Sequence, residues 1–352
     1  MNIQTRAILF LSFAANVLVT TASDVVINPG RTSFDTQASV VTLPDGGSWA
    51  IWKAYYKSKE RVFVRRTDDA APANERRIVE LTDQPTIVDQ PRLAASANGK
   101  HLWALWSERD NGTWLIKGRR RLDGKWLPTE VVSDVQADGI KPSAVVLNDG
   151  QAVFAWHSLT KNRPAQIMLR RFSEKGWTNI EIPSDPAYDS FRVTMVDSGS
   201  EIWAFWEQYS DSRRSILGRR ILPTPLPIEQ VSPLGPVSER NMKPVPLASK
   251  SMGLCIAWLK LTDVIGGDGV IDMIHTAHVS ARRNGKWEMI KNADGNPDGA
   301  AMLNGLLPDL RPKKGYPSGY IGRRRHPMLV DSPDGPWLIW ERKSIHGGGR
   351  TK

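Results

Sequence analysis

The chain has almost no cysteine. Cys255 is the single one among 352 residues, so no disulfide can form within the chain and its apolar core must hold it together. Cys255 lies in the apolar run that leads to Trp258, where a buried structural thiol is expected. Histidine is scarce as well, at six residues, and no cluster has zinc-ligand spacing. A glycine-rich phosphate loop and a serine nucleophile elbow are also missing, which removes the commonest signatures of nucleotide-binding proteins and serine hydrolases. Beyond the first residues there is no apolar run long enough to span a bilayer. At the start, Arg6 precedes an apolar stretch from Ala7 to Ala22, interrupted by Asn16, and Thr20, Thr21, Ala22 and Ser23 offer small residues for cleavage. Residues 1–23 therefore read as a signal peptide and 24–352 as one domain. The expected location is secreted or periplasmic.

What the chain does have is tryptophan and positive charge. It carries 14 Trp and a formal net charge of +10. Many basic residues recur at fixed repeat positions, which argues against a nucleic-acid patch. For an exported basic protein the expected partner is an acidic carbohydrate or cell-envelope polymer, met as a monomer.

The tryptophans mark an internal repeat. Trp52, Trp106, Trp156, Trp206, Trp258 and Trp340 each end a short apolar run, at successive spacings of 54, 50, 50, 52 and 82. Many copies open with a Pro-led run (Pro91–Ala95, Pro142–Leu147, Pro244–Leu247, Pro327–Val330), which passes through a tight turn such as Asp45-Gly46, Asn98-Gly99, Asp149-Gly150 or Asp334-Gly335. The Trp run follows, apolar on both faces as a strand between two sheets must be. A third strand closes on an Arg pair (Arg65-Arg66, Arg119-Arg120, Arg170-Arg171, Arg219-Arg220, Arg282-Arg283), and a further turn leads to Trp126, Trp177 or Trp287. One guanidinium of each pair is expected to lie across a Trp ring of the adjacent strand. Of the 14 Trp, only Trp114 stands outside these positions.

Four antiparallel strands in a unit of this length define an all-β fold, a β-propeller of about six blades with the last one incomplete. Copies five and six carry long loop insertions, at about 259–272 and 291–325. Either residues 24–34 supply the outer strand that closes the ring, or the C-terminus as given is a truncation.

The order of Pro-led strand, Asp-Gly turn, Trp strand and Arg-Arg strand resembles exported bacterial β-propellers of the sialidase-like and TolB-like superfamilies. The resemblance covers nearly all of the chain after residue 30 and is architectural. The sialidase Asp-box is not matched: Asp45-Gly46-Gly47-Ser48-Trp49 and Asp334-Gly335-Pro336-Trp337 are too short and join the first and second strands. No catalytic residue is carried over by motif.

Propellers of this kind bind ligands on the face where first strands begin and second strands end. In register, the residues following the second-strand Trp are Lys53, Ser107, His157, Glu207, Leu259 and Glu341. Those entering the first strand are Asp35 or Thr36, Gln90, Lys141, Ser190 or Phe191, Lys243 and His326. Lys53, Lys141, Lys243, Arg92, Arg192 and Arg325 would clamp an anionic sugar. Glu207, His157, Glu341 and His326 are the candidate proton-transfer groups. Trp114, Tyr55, Tyr56 and Tyr209 are placed to stack on sugar rings. Two functions follow: a propeller that binds an anionic glycan, or a sialidase-like glycoside hydrolase or polysaccharide lyase acting on acidic glycans. No cofactor is implied, although Asp263, Asp268 and Asp272 with their glycines offer oxygen ligands for calcium. His275 and His278 are three apart on a predicted strand, which turns them to opposite faces and argues against a shared metal.

Overall fold

The computed structural model describes residues 33–68, 71–84, 86–265, 271–290, 323–331 and 336–343. The signal-peptide reading, residues 24–32, Asp268 and nearly all of the 291–325 insertion lie outside them.

The described chain is a β-propeller built from antiparallel sheets that follow one another along the sequence. Blade 1 comprises Phe34–Thr42, Ser48–Tyr56, Lys59–Arg66 and Val79–Glu80. Blade 2 comprises Val88–Ala95, Leu102–Asp110, Thr113–Leu122, and an outer strand split into Lys125–Trp126 and Glu130–Val131. Blade 3 comprises Asp138–Val146, Ala152–Leu159, Gln166–Ser173 and Gly176–Trp177. Blade 4 comprises Asp189–Asp197, Ile202–Ser210, Arg213–Leu222 and Glu229–Gln230. Blade 5 comprises Glu239–Ser249, Gly253–Ile265, Ile271–Arg283 and Lys286–Met289. A sixth unit is a hairpin of Arg323–Val330 and Trp337–Lys343. Leu329 of that hairpin packs into the core of blade 5 with Cys255, Ala257 and Val279.

Each second strand is buried along nearly its whole length. Trp52, Trp106, Trp156, Trp206 and Trp258 are at most 2% exposed, Trp106 and Trp206 under the preceding blade and Trp52 within blade 1 itself. Blade cores are therefore shared: Trp106 packs with Trp49 and Ile51 of blade 1, and Trp206 with Val153 and Ile167 of blade 3. Truncating one such ring costs about 3–5 kcal/mol.

Within the Arg pairs, Arg170 lies across the Trp177 ring of the adjacent strand at 5.1 Å, as expected, while other arginines reach from blade to blade. The guanidinium of Arg121 lies 4.8 Å from the ring centre of Trp49 in the preceding blade, and that of Arg282 lies 4.7 Å from Trp203. Arg120 covers Phe172 in the blade that follows, at 4.8 Å. Carboxylates complete the seams: Glu75 holds Arg66 and Arg121, and Glu229 holds Arg282 together with the Trp287 indole. An attracted polyanion is not needed to explain these arginines.

Two sequence expectations change. The prolines do not open the first strands: Pro91, Pro142 and Pro244 each lie inside one, at a break in its ladder. Lacking an N–H, proline fits where the pairing is interrupted. The 259–272 insertion is not a loop along most of its length. It lengthens the second and third strands of blade 5 into a ribbon whose ladder runs out to Ile265 and Ile271.

Candidate functional site

Every first strand carries a bulge at the same place. The register slips between Thr36 and Ser39, Asp89 and Arg92, Ile140 and Ser143, Phe191 and Thr194, Met242 and Val245, and Arg325 and Met328. In the five complete blades a non-glycine residue at the bulge is left-handed: Gln37, Gln90, Lys141, Arg192 and Lys243 have φ of 53°, 48°, 58°, 51° and 56°. A side chain there costs about 1–2 kcal/mol relative to ordinary backbone. Bulges redirect side chains, and these do so once per blade on the innermost strand.

The residue after each second-strand Trp pairs with the residue just before the bulge. Lys53 faces Thr36, Ser107 faces Asp89, His157 faces Ile140, Glu207 faces Phe191, Leu259 faces Met242, and Glu341 faces Arg325. His326 falls inside the sixth bulge. The side chains of His326, Arg325 and Glu341 are outside the described set.

These follower residues also fasten adjacent blades. Ser107 Oγ accepts the Lys141 amide N–H at 3.2 Å, and Glu207 Oε1 accepts the Lys243 amide N–H at 2.8 Å. Blade 1 achieves the same with its bulge residue: Gln37 Oε1 accepts the Gln90 amide N–H at 2.8 Å, while its Nε2 donates to Asp89 at 2.7 Å.

The strongest convergence lies across blades 3 to 5. Glu207 is fully buried, yet it is held by Arg192 at 3.1 Å and Arg214 at 3.5 Å besides the Lys243 amide. A buried carboxylate is tolerated only with such compensation. His157 is 3% exposed and stacks edge-on against Phe191 at 6.0 Å. Burial, reinforced by Lys141 and Arg192, pushes its imidazole down to about 3, so it is neutral at pH 7. Its Nδ1 finds no hydrogen-bond partner among the described residues. Burial lowers Lys141 too, with Arg192 and Lys243 adding to the shift while Glu207 and Asp89 oppose it. Burial likewise lowers Arg92, against the pull of Asp89. Among the described residues, Lys141 is set against Arg192 and Lys243 on one side and Glu207 and Asp89 on the other, Arg92 lies within reach of Asp89, and Arg192 and Arg214 share Glu207.

The remaining candidates sit around this centre. Tyr209 lies two residues beyond Glu207 on the same strand, hence on the same face, and is 44% exposed. Lys53 is engaged by Glu60 at 2.7 Å. Tyr56 is turned into blade 1, edge-on to Phe63 at 6.5 Å, and presents no free ring face. Trp114 does have a repeat position after all: it pairs with Arg109 as Arg214 pairs with Tyr209. Its amide donates to Asp138 of blade 3 at 2.7 Å, and the Ala165 amide does the same to Asp189 of blade 4. Arg214, Gln37 and Asp89 are the residues the sequence reading passed over. Aligning the Asp110–Trp114 turn with Ser210–Arg214 would have exposed the first.

No group of three or more metal-ligating side chains occurs among the described residues. Asp263 is ion-paired to Arg240, and in the ribbon Asp272 pairs with Val264 rather than with Asp263. His278 is stacked on Trp258 at 5.8 Å and bonded to Thr276 at 2.9 Å.

No family model matches the chain, and a comparison with curated proteins found none that matches. Solved structures do. A Dyadobacter fermentans protein of unknown function is 9% identical with a TM-score of 0.48, covering 75% of this chain and 95% of its own. A Trypanosoma rangeli sialidase, solved in complex with sialic acid, is 11% identical with a TM-score of 0.47, covering 88% and 52%. A GH43 endo-arabinanase from Bacillus licheniformis is 12% identical with a TM-score of 0.38, covering 75% and 97%.

Proposed function

We propose that this propeller binds an anionic glycan or envelope polymer at the inner end of blades 3 to 5, with Lys141, Arg192 and Lys243 as the anion clamp and Arg92 and Tyr209 beside it. One observation carries the reading: three successive bulges place Lys141, Arg192 and Lys243 around a buried Glu207 whose carboxylate is already shared by Arg192, Arg214 and the Lys243 amide. Lys141 and Arg92, both lowered by burial, gain most from a bound carboxylate or sulfate, since the anion supplies what lost solvation removed. The sialidase-like hydrolase or lyase reading fits this geometry less well. A histidine held near 3 is a weak base at neutral pH, and Glu207 is engaged by two guanidinium groups and an amide.

A glycan array combined with a turnover screen tests the proposal, using the wild type, Glu207→Gln and His157→Ala. Selective binding of acidic glycans without turnover is expected. Turnover that disappears in either variant would establish the enzyme instead, and equal binding of neutral glycans would remove the anion clamp.

A further inference from the structure

Away from the cation cluster, a groove of about 710 Å³ runs between blades 1 and 2 on the same face. Its walls include Tyr55, Glu60, Thr86, Ile87 and Arg109. Two of these are apolar and open to solvent, Tyr55 at 52% and Ile87 at 49% exposure, and Phe34, at 71%, lies directly across the strand pair from Tyr55. Tyr55 is to Lys53 what Tyr209 is to Glu207: two residues further along the same strand face, about 7 Å toward the rim. The groove therefore opens above the seam at which the blade 1 follower residue sits.

The floor is fixed and its acid is neutralised. Glu60 pairs with Lys53 at 2.7 Å through one oxygen and accepts the Val88 amide N–H at 2.9 Å through the other. The far wall is tied down as well, by Thr86 Oγ1 donating to the Arg109 carbonyl and the Arg109 amide donating to the Ile87 carbonyl, each at 2.9 Å. These bonds use the backbone of Arg109 and leave its guanidinium on an exposed side chain. An aromatic face, an aliphatic neighbour and a guanidinium on one rigid groove match a sugar ring that carries an acidic substituent.

We infer that this groove is a second subsite of the same ligand: Tyr55 stacks on a sugar ring of a longer acidic glycan and Arg109 holds that sugar's carboxylate or sulfate. The inference rests on the proposed anion site and adds a preference for length. Joining two subsites makes the second contact intramolecular, so affinity rises with a chain long enough to reach both.

The test is isothermal titration of the full chain with a uronate disaccharide and the matching hexasaccharide. Wild type should bind the hexasaccharide roughly tenfold more tightly, about 1.4 kcal/mol. Tyr55→Ala and Arg109→Gln should each erase that advantage while leaving disaccharide affinity unchanged, and Tyr55→Phe, which keeps the ring, should retain it. Equal affinity for both lengths in the wild type, or an advantage that survives Tyr55→Ala, overturns the groove and leaves the axial site standing. Failure of both ligands to bind overturns the axial site, and the groove falls with it.

Discussion

Replacing Glu207 by Gln should destabilise the protein without weakening anion capture. Glu207 is fully buried and bridges Arg192 and Arg214 to the Lys243 amide, so it fastens blade 4 to blade 5. Removing one partner of a wholly buried ion pair costs about 3–5 kcal/mol. Here the two arginine side chains are 36% and 28% exposed, so water compensates part of the loss, and Gln keeps an acceptor for the amide. The expected cost is about 2 kcal/mol, rising to about 4 kcal/mol for Glu207→Leu, which also orphans the buried N–H. Urea unfolding followed by tryptophan fluorescence reads this directly as a lower midpoint at unchanged slope. Arg192, released from its carboxylate, then pairs more freely with an acidic ligand, so affinity is maintained or improved. A loss of stability below about 0.5 kcal/mol, which is ordinary for surface changes, would show that Glu207 does not hold the seam.

Three further outcomes follow from named contacts. His157 has a folded value of about 3 against an ordinary 6.5, so below pH 6.5 the unfolded chain takes up a proton that the folded chain refuses. Stability should therefore fall from pH 7 to pH 5 by about 2 kcal/mol more than in His157→Gln, and parallel pH profiles of thermal unfolding would refute the burial argument. Arg121→Ala should cost about 1–2 kcal/mol, because that guanidinium both covers Trp49 and pairs with Glu75; calorimetry of the variant checks it. Raising salt from 0.05 to 0.5 M should weaken acidic-glycan binding in the wild type more steeply than in Lys141→Gln, since screening acts on the charge removed; identical salt slopes would assign the attraction elsewhere.

The architecture was legible because the Trp runs must be apolar on both faces wherever blades stack, and the hairpin turns between them are short. The same register located the follower residues, since a spacing measured from Trp156 or Trp206 fixes His157 and Glu207 without any motif. The bulges were not legible: Gln37, Lys141 and Arg192 adopt positive φ with no glycine to announce it, and the prolines within four of the bulges suggested strand starts. The Asp263–Asp272 segment suggested a loop because its glycines masked a ladder that continues on both sides. Arg214 was legible only through its register match with Trp114, while its contact with Glu207 is tertiary and no local pattern encodes it.

The central claim is that the cationic bulge residues Lys141 and Arg192 select an anionic ligand, and carboxyl reduction tests it most directly. A uronate oligosaccharide and its carboxyl-reduced counterpart share shape and hydroxyls and differ in charge, so titrating the wild type, Lys141→Gln and Arg192→Gln with both isolates the cations. The account predicts that the wild type binds the uronate at least tenfold more tightly than the reduced form, a difference of about 1.4 kcal/mol, and that each substitution removes most of that preference. Equal affinity for the two oligosaccharides, or a preference untouched by both substitutions, would contradict it.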